Sequence, residues 1–171
     1  MINIVKLTDI QIAIVDKITS TLADTDFKID TSDDPEITNG VVFSSTSIKE
    51  DIIRPSFYIT FDNNKTNKFN YGLKEKTLEF KLFYFAKTIK NSQLELLEMQ
   101  DILENLFLEE IEVSEGFNIP VADELNIDVY NEQGYLTLNM DLYTLEELDS
   151  VKAIEDDTEY MEEMEYVQQN N

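Results

Sequence analysis

The segment that most constrains the fold is one near residue 140 in which apolar and polar residues alternate strictly. Apolar residues occupy the even positions and polar residues the odd positions: Leu136, Leu138, Met140 and Leu142 against Thr137, Asn139 and Asp141. Because successive side chains of a strand point to opposite faces, this pattern predicts a sheet with one buried and one polar face. The apolar face needs helices to pack against.

Two segments have the period of amphipathic helices that could cover this face. In residues 4–23 the apolar residues recur at every fourth position, at Ile10, Ile14, Ile18 and Leu22. A second helix is predicted from Asn91 or Ser92, which can cap its start, to about Glu110. Its apolar stripe is Leu96, Met99, Leu103 and Leu106.

The remaining strands are predicted on both sides of the second helix. Residues 56–62 and 74–86 read as strands joined by an Asn- and Lys-rich loop at 63–72, and residues 125–129 alternate before a turn at 131–134. Shorter strands are expected at 27–29 and within 111–121. The order helix, strands, helix, strands predicts an α+β fold, with an antiparallel or mixed β-sheet packed against two main helices. We expect one domain over residues 1–143 and an acidic C-terminal tail over 144–171.

The composition excludes several classes of chemistry. The 171 residues contain no Cys and no His, and 36 acidic residues against 13 basic ones give a net charge of −23. Disulfides, thiol catalysis, Cys or His metal sites and Ser-His arrangements are therefore excluded. The four glycines are isolated, so no phosphate-binding loop is expected. We predict a protein that is not an enzyme and has no cofactor.

The same composition bears on partners and location. A strongly acidic surface repels phosphates and anionic lipids, so we expect no sequence-specific nucleic-acid binding and no membrane binding. No apolar run approaches the roughly 20 residues of a membrane span, and the first residues form no signal-peptide stretch. A soluble protein made in a cytoplasm is expected.

Two acidic segments are candidates for metal sites. Residues 33–36 lack the ligand spacing of a calcium loop, and a turn with solvated acids fits them better. Glu79-Phe80-Lys81, with Asp62 at the end of the preceding strand, has the arrangement of some metal-dependent nucleases. The alternative, a salt-bridged strand face, agrees better with the net charge.

Basic residues are concentrated in one part of the chain. Residues 49–90 hold nine of the 13 basic residues and a net charge of +4, whereas residues 91–171 have a net charge of −22. Identical subunits that assemble head to tail need two different complementary patches each. We therefore predict that the 63–72 loop and its flanking strands contact the acidic second half of a neighbouring subunit. The expected interface residues are Lys65, Lys68, Lys74, Lys76, Phe83 and Phe85; the alternative is that these lysines are merely solvated.

Three stretches, in this order along the chain, resemble the bacteriophage tail terminator proteins of Firmicutes phages and prophages. They are RPSFYITF at 54–61, YGLKEKTLEFKLFYF at 71–85 and NEQGYLTLNMDLY at 131–143. The resemblance implies a subunit that closes into a ring, expected to be a hexamer, on the head-proximal end of the tail tube in the virion. It also implies that the ring stops tube growth and contacts the tail tube protein and the head-tail connector protein, and it implies no catalytic residues.

Other functions remain open at this point. The chain could be another neck or head-tail connector protein, or an acidic inhibitor that mimics DNA with its carboxylates. A contractile tail is not distinguished from a non-contractile one.

Overall fold

The alternating segment around Leu138 is a strand within a five-stranded sheet, as its pattern predicts. The computed structural model describes residues 6–30, 40–44 and 52–148, without the side chains of 121–123. In chain order the elements are α1 (Leu7–Leu22), β1 (Val42–Phe43), β2 (Ser56–Lys68), β3 (Leu73–Phe85), α2 (Gln93–Phe107), β4 (Ile111–Ser114), β5 (Phe117–Ile119), β6 (Val121–Tyr130) and β7 (Tyr135–Glu147). The sheet order is β1-β2-β3-β7-β6, and β4 pairs with β5 in a separate hairpin.

The sheet is mainly antiparallel, and both helices share its buried face. Only the short β1–β2 pairing is parallel. The apolar residues at even positions of β3 and β7 belong to one core cluster with the apolar stripes of α1 and α2. This confirms the predicted α+β class. The members on the two central strands are Leu78, Phe80, Leu82, Tyr84, Leu136, Leu138, Met140 and Leu142.

The start of α2 is tied to the end of β3 by one carboxylate. Glu95 accepts hydrogen bonds from the Tyr84 hydroxyl (2.7 Å) and from the Lys87 backbone N–H (2.9 Å). Burial of the ring and the hydrogen bond to Glu95 raise the pKa of Tyr84 far above its ordinary value. Ser92 holds the N-cap position, as predicted, but its hydroxyl donates to the Ile89 carbonyl and does not cap the helix.

The predicted loop at 63–72 is wrong, because most of it is strand. β2 continues to Lys68 and pairs with β3 as far as Lys68↔Lys74, after a register shift between Asp62 and Lys65. Asn63 has a φ of 48° at this shift. The turn itself spans residues 69–72, and its Asn70 side chain accepts the backbone N–H groups of residues 72 and 73, both at 2.9 Å. The Asn-rich composition suggested a loop because apolar alternation stops at Asp62.

The last strand also extends further than predicted. β7 continues to Glu147, so the expected boundary between residues 143 and 144 falls inside a strand. Thr144 and Glu146 occupy even-numbered positions of β7, so they point to the same face as the core residues before them. Both are buried. Residues 149–171 of the predicted tail lie outside the described residues.

The smaller elements agree with the sequence patterns in part. The stretch expected to hold a short strand forms the β4–β5 hairpin, whose ends bury Ile111 and Ile119. Near residues 27–29, only an isolated bridge joins Ile29 to Val41. The candidate calcium loop at 33–36 lies outside the described residues. Within the described residues, neither helix has the length and apolar character needed to cross a membrane.

The core assignment predicts the effect of a buried charge. Leu138 is fully buried on the inner face of β7, so Leu138→Asp would place an unpaired carboxylate in the core. We expect a loss of more than about 4 kcal/mol, enough to unfold a domain of ordinary stability. Thermal melting followed by circular dichroism measures it. Asn126→Asp on the exposed face of β6 is the matched control, and an unchanged melting temperature for Leu138→Asp would contradict the fold.

Candidate assembly interface

The upper part of the sheet is a three-stranded extension, here called the arm. It consists of residues 63–77 of the β2–β3 hairpin and residues 143–147 of β7. β6 pairs with β7 only between Leu142 and Tyr135, so the sheet narrows above that point. Residues 63–70 are all exposed. The arm therefore offers accessible surface that the rest of the sheet does not.

The four predicted interface lysines fall into two pairs. Lys65 and Lys68 are exposed on β2, and no carboxylate among the described residues forms an ion pair with either one. The Lys68 ammonium instead lies 5.6 Å from the centre of the Tyr71 ring. Lys74 and Lys76 are mostly covered on β3 and are engaged inside the molecule. Only the first pair is free to meet a partner.

Lys74 and Lys76 hold the carboxylate of Glu146, which is fully buried. The Lys74 ammonium is 3.3 Å from Glu146 Oε2, and the Lys76 ammonium is 2.9 Å from Oε1. The Thr144 hydroxyl donates to Glu146 Oε1 at 3.2 Å. The side chains of the two lysines are 20% and 19% exposed, against 0% for Glu146. This cluster, here called the Glu146 clamp, fastens the end of β7 to the start of β3.

Phe83 and Phe85 do not lie beneath the arm. They point to the outer face of the sheet at the far end of β3, nine or more residues from Lys74, or about 30 Å along the strand. Phe85 is buried: the Phe83 ring stacks on it at 6.4 Å and the Tyr135 ring lies at 5.6 Å. Phe83 is half-buried beside Tyr58. The six predicted residues thus occupy two separate places.

Arg54 organises this outer aromatic row and was not singled out from the sequence as a site residue. Its guanidinium lies 5.5 Å from the centre of the Phe85 ring. It donates to the carbonyls of Ala86, Gln133 and Gly134, at 3.1, 2.9 and 2.7 Å. A side chain at Gly134 would approach the Ile89 backbone to 3.0 Å, and this position has a φ of +67°. Glycine is therefore required in the turn that Arg54 holds.

The nuclease-like trio is a closed ion-pair network on the outer face. The Lys81 ammonium contacts Asp62 at 3.2 Å and Glu79 at 3.1 Å. Asn63 donates to Glu79 at 3.0 Å, and this bond, followed by that from Lys81, lowers the pKa of Glu79. The hydrogen bonds to Glu79 and Asp62 raise the pKa of Lys81. The interpretation as a salt-bridged strand face is confirmed; the described residues contain no group of three or more metal-ligating side chains.

The second half of the chain is acidic, in contrast to the exposed lysines of the arm. From Asn91 to Val151 the sequence contains no Lys or Arg. On the exposed side of α2, Glu98 and Asp101 lie between three exposed leucines, Leu94 (80%), Leu97 (45%) and Leu108 (70%). Two exposed aromatics, Phe69 (56%) and Tyr71 (78%), lie in the turn of the arm. The exposed side of α2 and the arm thus each present charged and apolar side chains to solvent.

The exposed lysines of the arm and the acidic second half give the chain two surfaces of opposite charge. The comparison with known families identifies the class of protein. The chain belongs to the phage tail terminator family: the model described as phage tail terminator protein matches residues 9–152. No curated protein matches the chain.

Family membership confirms the resemblance seen in the sequence. The family is structural, so the chain is a structural component of a phage tail, and hence of the virion, that contacts other tail or head-tail proteins. The Firmicutes origin stays a prediction.

The Glu146 clamp leads to a prediction about stability. Lys74→Met with Lys76→Met leaves a buried carboxylate unpaired, so we expect a loss of about 3–5 kcal/mol. Glu146→Gln leaves only two ammoniums that can reach solvent, and we expect a loss of about 1–2 kcal/mol. The triple variant with Glu146→Leu should recover most of the loss. Urea unfolding measures all three; Lys65→Met with Lys68→Met is the control, and equal losses for this pair would contradict the clamp.

Proposed function

We propose that the protein is a tail terminator that closes into a ring, expected to be a hexamer, on the head-proximal end of the tail tube. There the ring stops the growth of the tube and offers a surface to the head-tail connector protein. The observation that carries this proposal is the family match, which spans nearly all of the described fold. Assembly takes place in the cytoplasm of the bacterial host.

The arm is the proposed contact with the neighbouring subunit. Because Lys74 and Lys76 neutralise Glu146 internally, Lys65 and Lys68 carry the positive charge that the arm can offer. We propose that they meet the acidic second half of the neighbour, where Glu98 and Asp101 are exposed. Phe69 and Tyr71 in the arm turn can bury apolar area against the exposed leucines of α2.

We propose that Phe83 and Phe85 belong to a second contact, separate from that of the arm. Phe83 is half-buried on the outer face, so its exposed part can meet another subunit or the tail tube protein. Phe85 lies beside it on the same face of β3, with the two rings parallel and their centres 6.4 Å apart.

The first test is made in a phage that encodes this protein. Deleting the gene should give tails of uncontrolled length, or tails that fail to join heads, because tube growth would have no stop. Electron microscopy of lysates measures both, with expression of the gene from a plasmid as the control. Normal-length tails joined to heads in the deletion would contradict the proposed function.

The second test concerns the arm. Lys65→Glu with Lys68→Glu should leave the melting temperature nearly unchanged, since exposed substitutions cost about 0.5 kcal/mol or less, yet block ring formation on tail tubes. Lys74 is left intact because its reversal would attack the Glu146 clamp. Lys87→Glu with Lys90→Glu makes the same charge change at exposed positions off the arm and is the control. Negative-stain microscopy counts capped tubes, and normal capping by the arm variant would exclude this surface.

A further inference from the structure

We propose that the acidic segment at residues 149–171 docks on the arm turn of its own chain and covers Lys68. This inference rests on the proposed function, because it assigns a regulator to the same arm surface. The docking keeps isolated subunits from assembling until a neighbour or the tail tube protein displaces the segment.

The surface to be covered is basic and aromatic. Lys65 and Lys68 have no ion-pair partner among the described residues, and Phe69 and Tyr71 are 56% and 78% exposed. The Lys68 ammonium already lies against the Tyr71 ring, 5.6 Å from its centre. Lys68 pairs with Lys74 whereas Lys65 pairs with Thr77, so the two lysines point to opposite faces of the arm. Lys68 lies next to the arm turn with its two exposed aromatic residues, a patch suited to an acidic segment that also carries apolar side chains.

The acidic segment starts beside this patch. The Leu148 backbone N–H donates to the Gly72 carbonyl at 2.8 Å, and Gly72 lies in the arm turn. β2 lies two strands away from β7 in the arm, a distance of about 10 Å. About three extended residues span that distance, so the segment is long enough to reach Lys68.

The composition of the segment complements the patch. Residues 149–171 contain eight acidic residues against one lysine, and the acidic residues flank Tyr160, Met161, Met164 and Tyr166. Methionine and aromatic side chains pack well against exposed aromatic rings. The family match ends at residue 152, so most of this segment lies beyond the part of the chain shared with the family.

Tethering favours the segment of the same chain over that of a neighbour. Single surface ion pairs are weak, but a short tether gives the attached segment an effective concentration in the millimolar range. Free subunits at micromolar concentration cannot compete with that. A tube end that presents several subunits and buries a larger surface can compete with the tethered segment and displace it.

Cross-linking of the full-length protein tests the docking. A carbodiimide reagent joins a lysine amine to a carboxylate in direct contact, and an equal mixture of ¹⁴N- and ¹⁵N-labelled protein distinguishes contacts within a chain from contacts between chains. We expect cross-links from Lys68 to residues 155–165, nearly all within one isotope, and fewer from Lys65, which points to the opposite face of the arm. Their yield should fall severalfold at about 1 M salt, where the screening length is about 3 Å. Mixed-isotope cross-links, or none to this segment, would overturn the inference.

A full-length variant tests the regulatory consequence. Glu155→Gln with Asp156→Asn and Asp157→Asn should raise the fraction of assembled protein without tail tubes, measured by sedimentation velocity. Asp16→Asn with Asp24→Asn and Asp26→Asn removes the same charge from exposed positions in and after α1 and should not raise it. An unchanged fraction in the first variant would refute the regulatory role.

The failures of the two proposals are distinguishable. If cross-links stay within the chain while Lys65→Glu with Lys68→Glu still caps tubes, the docking stands and the proposed interface fails. If that variant blocks capping while no such cross-links form, the interface stands and the docking is wrong.

Discussion

The pairing of β3 with β7 is the constraint on which the rest of the structure depends. Both strands have 13 residues, and they pair along their whole length, from Leu73↔Glu147 to Phe85↔Tyr135. At the lower end the inner face is apolar and the two helices pack on it. At the upper end the same face carries the Glu146 clamp. One continuous alternation therefore produces both the core and the arm.

The burial of the Glu146 carboxylate decides which lysines of the arm remain exposed. Removing a carboxylate from water is costly, and only close, well-placed cations offset that cost. Lys74 and Lys76 supply them and lose their availability to partners in doing so. The remaining lysines on β2 stay on the exposed strand of the arm.

The charge distribution also explains how an assembly protein can avoid premature association. With a net charge of −23, copies of the chain repel one another on average, and in the proposed scheme a contact forms where the arm meets an acidic surface. In the proposed scheme that acidic surface is first the chain's own segment and then a neighbour. In that scheme the tail tube presents the bound subunits that displace the segment, which would couple the end of tube growth to formation of the ring.

The sequence by itself determined the elements whose pattern is local. The periods of Ile10 to Leu22 and of Leu136 to Leu142 predicted a helix and a strand correctly, because each reports burial within a few consecutive residues. The β2 part of the arm was missed because residues 63–68 are polar on both faces, so no alternation marks them as a strand. Only the tertiary structure decided that Lys76 meets Glu146, 70 residues away, and that Phe85 is buried under Arg54. Such pairings depend on strand register, and register is set by the contacts of the whole sheet.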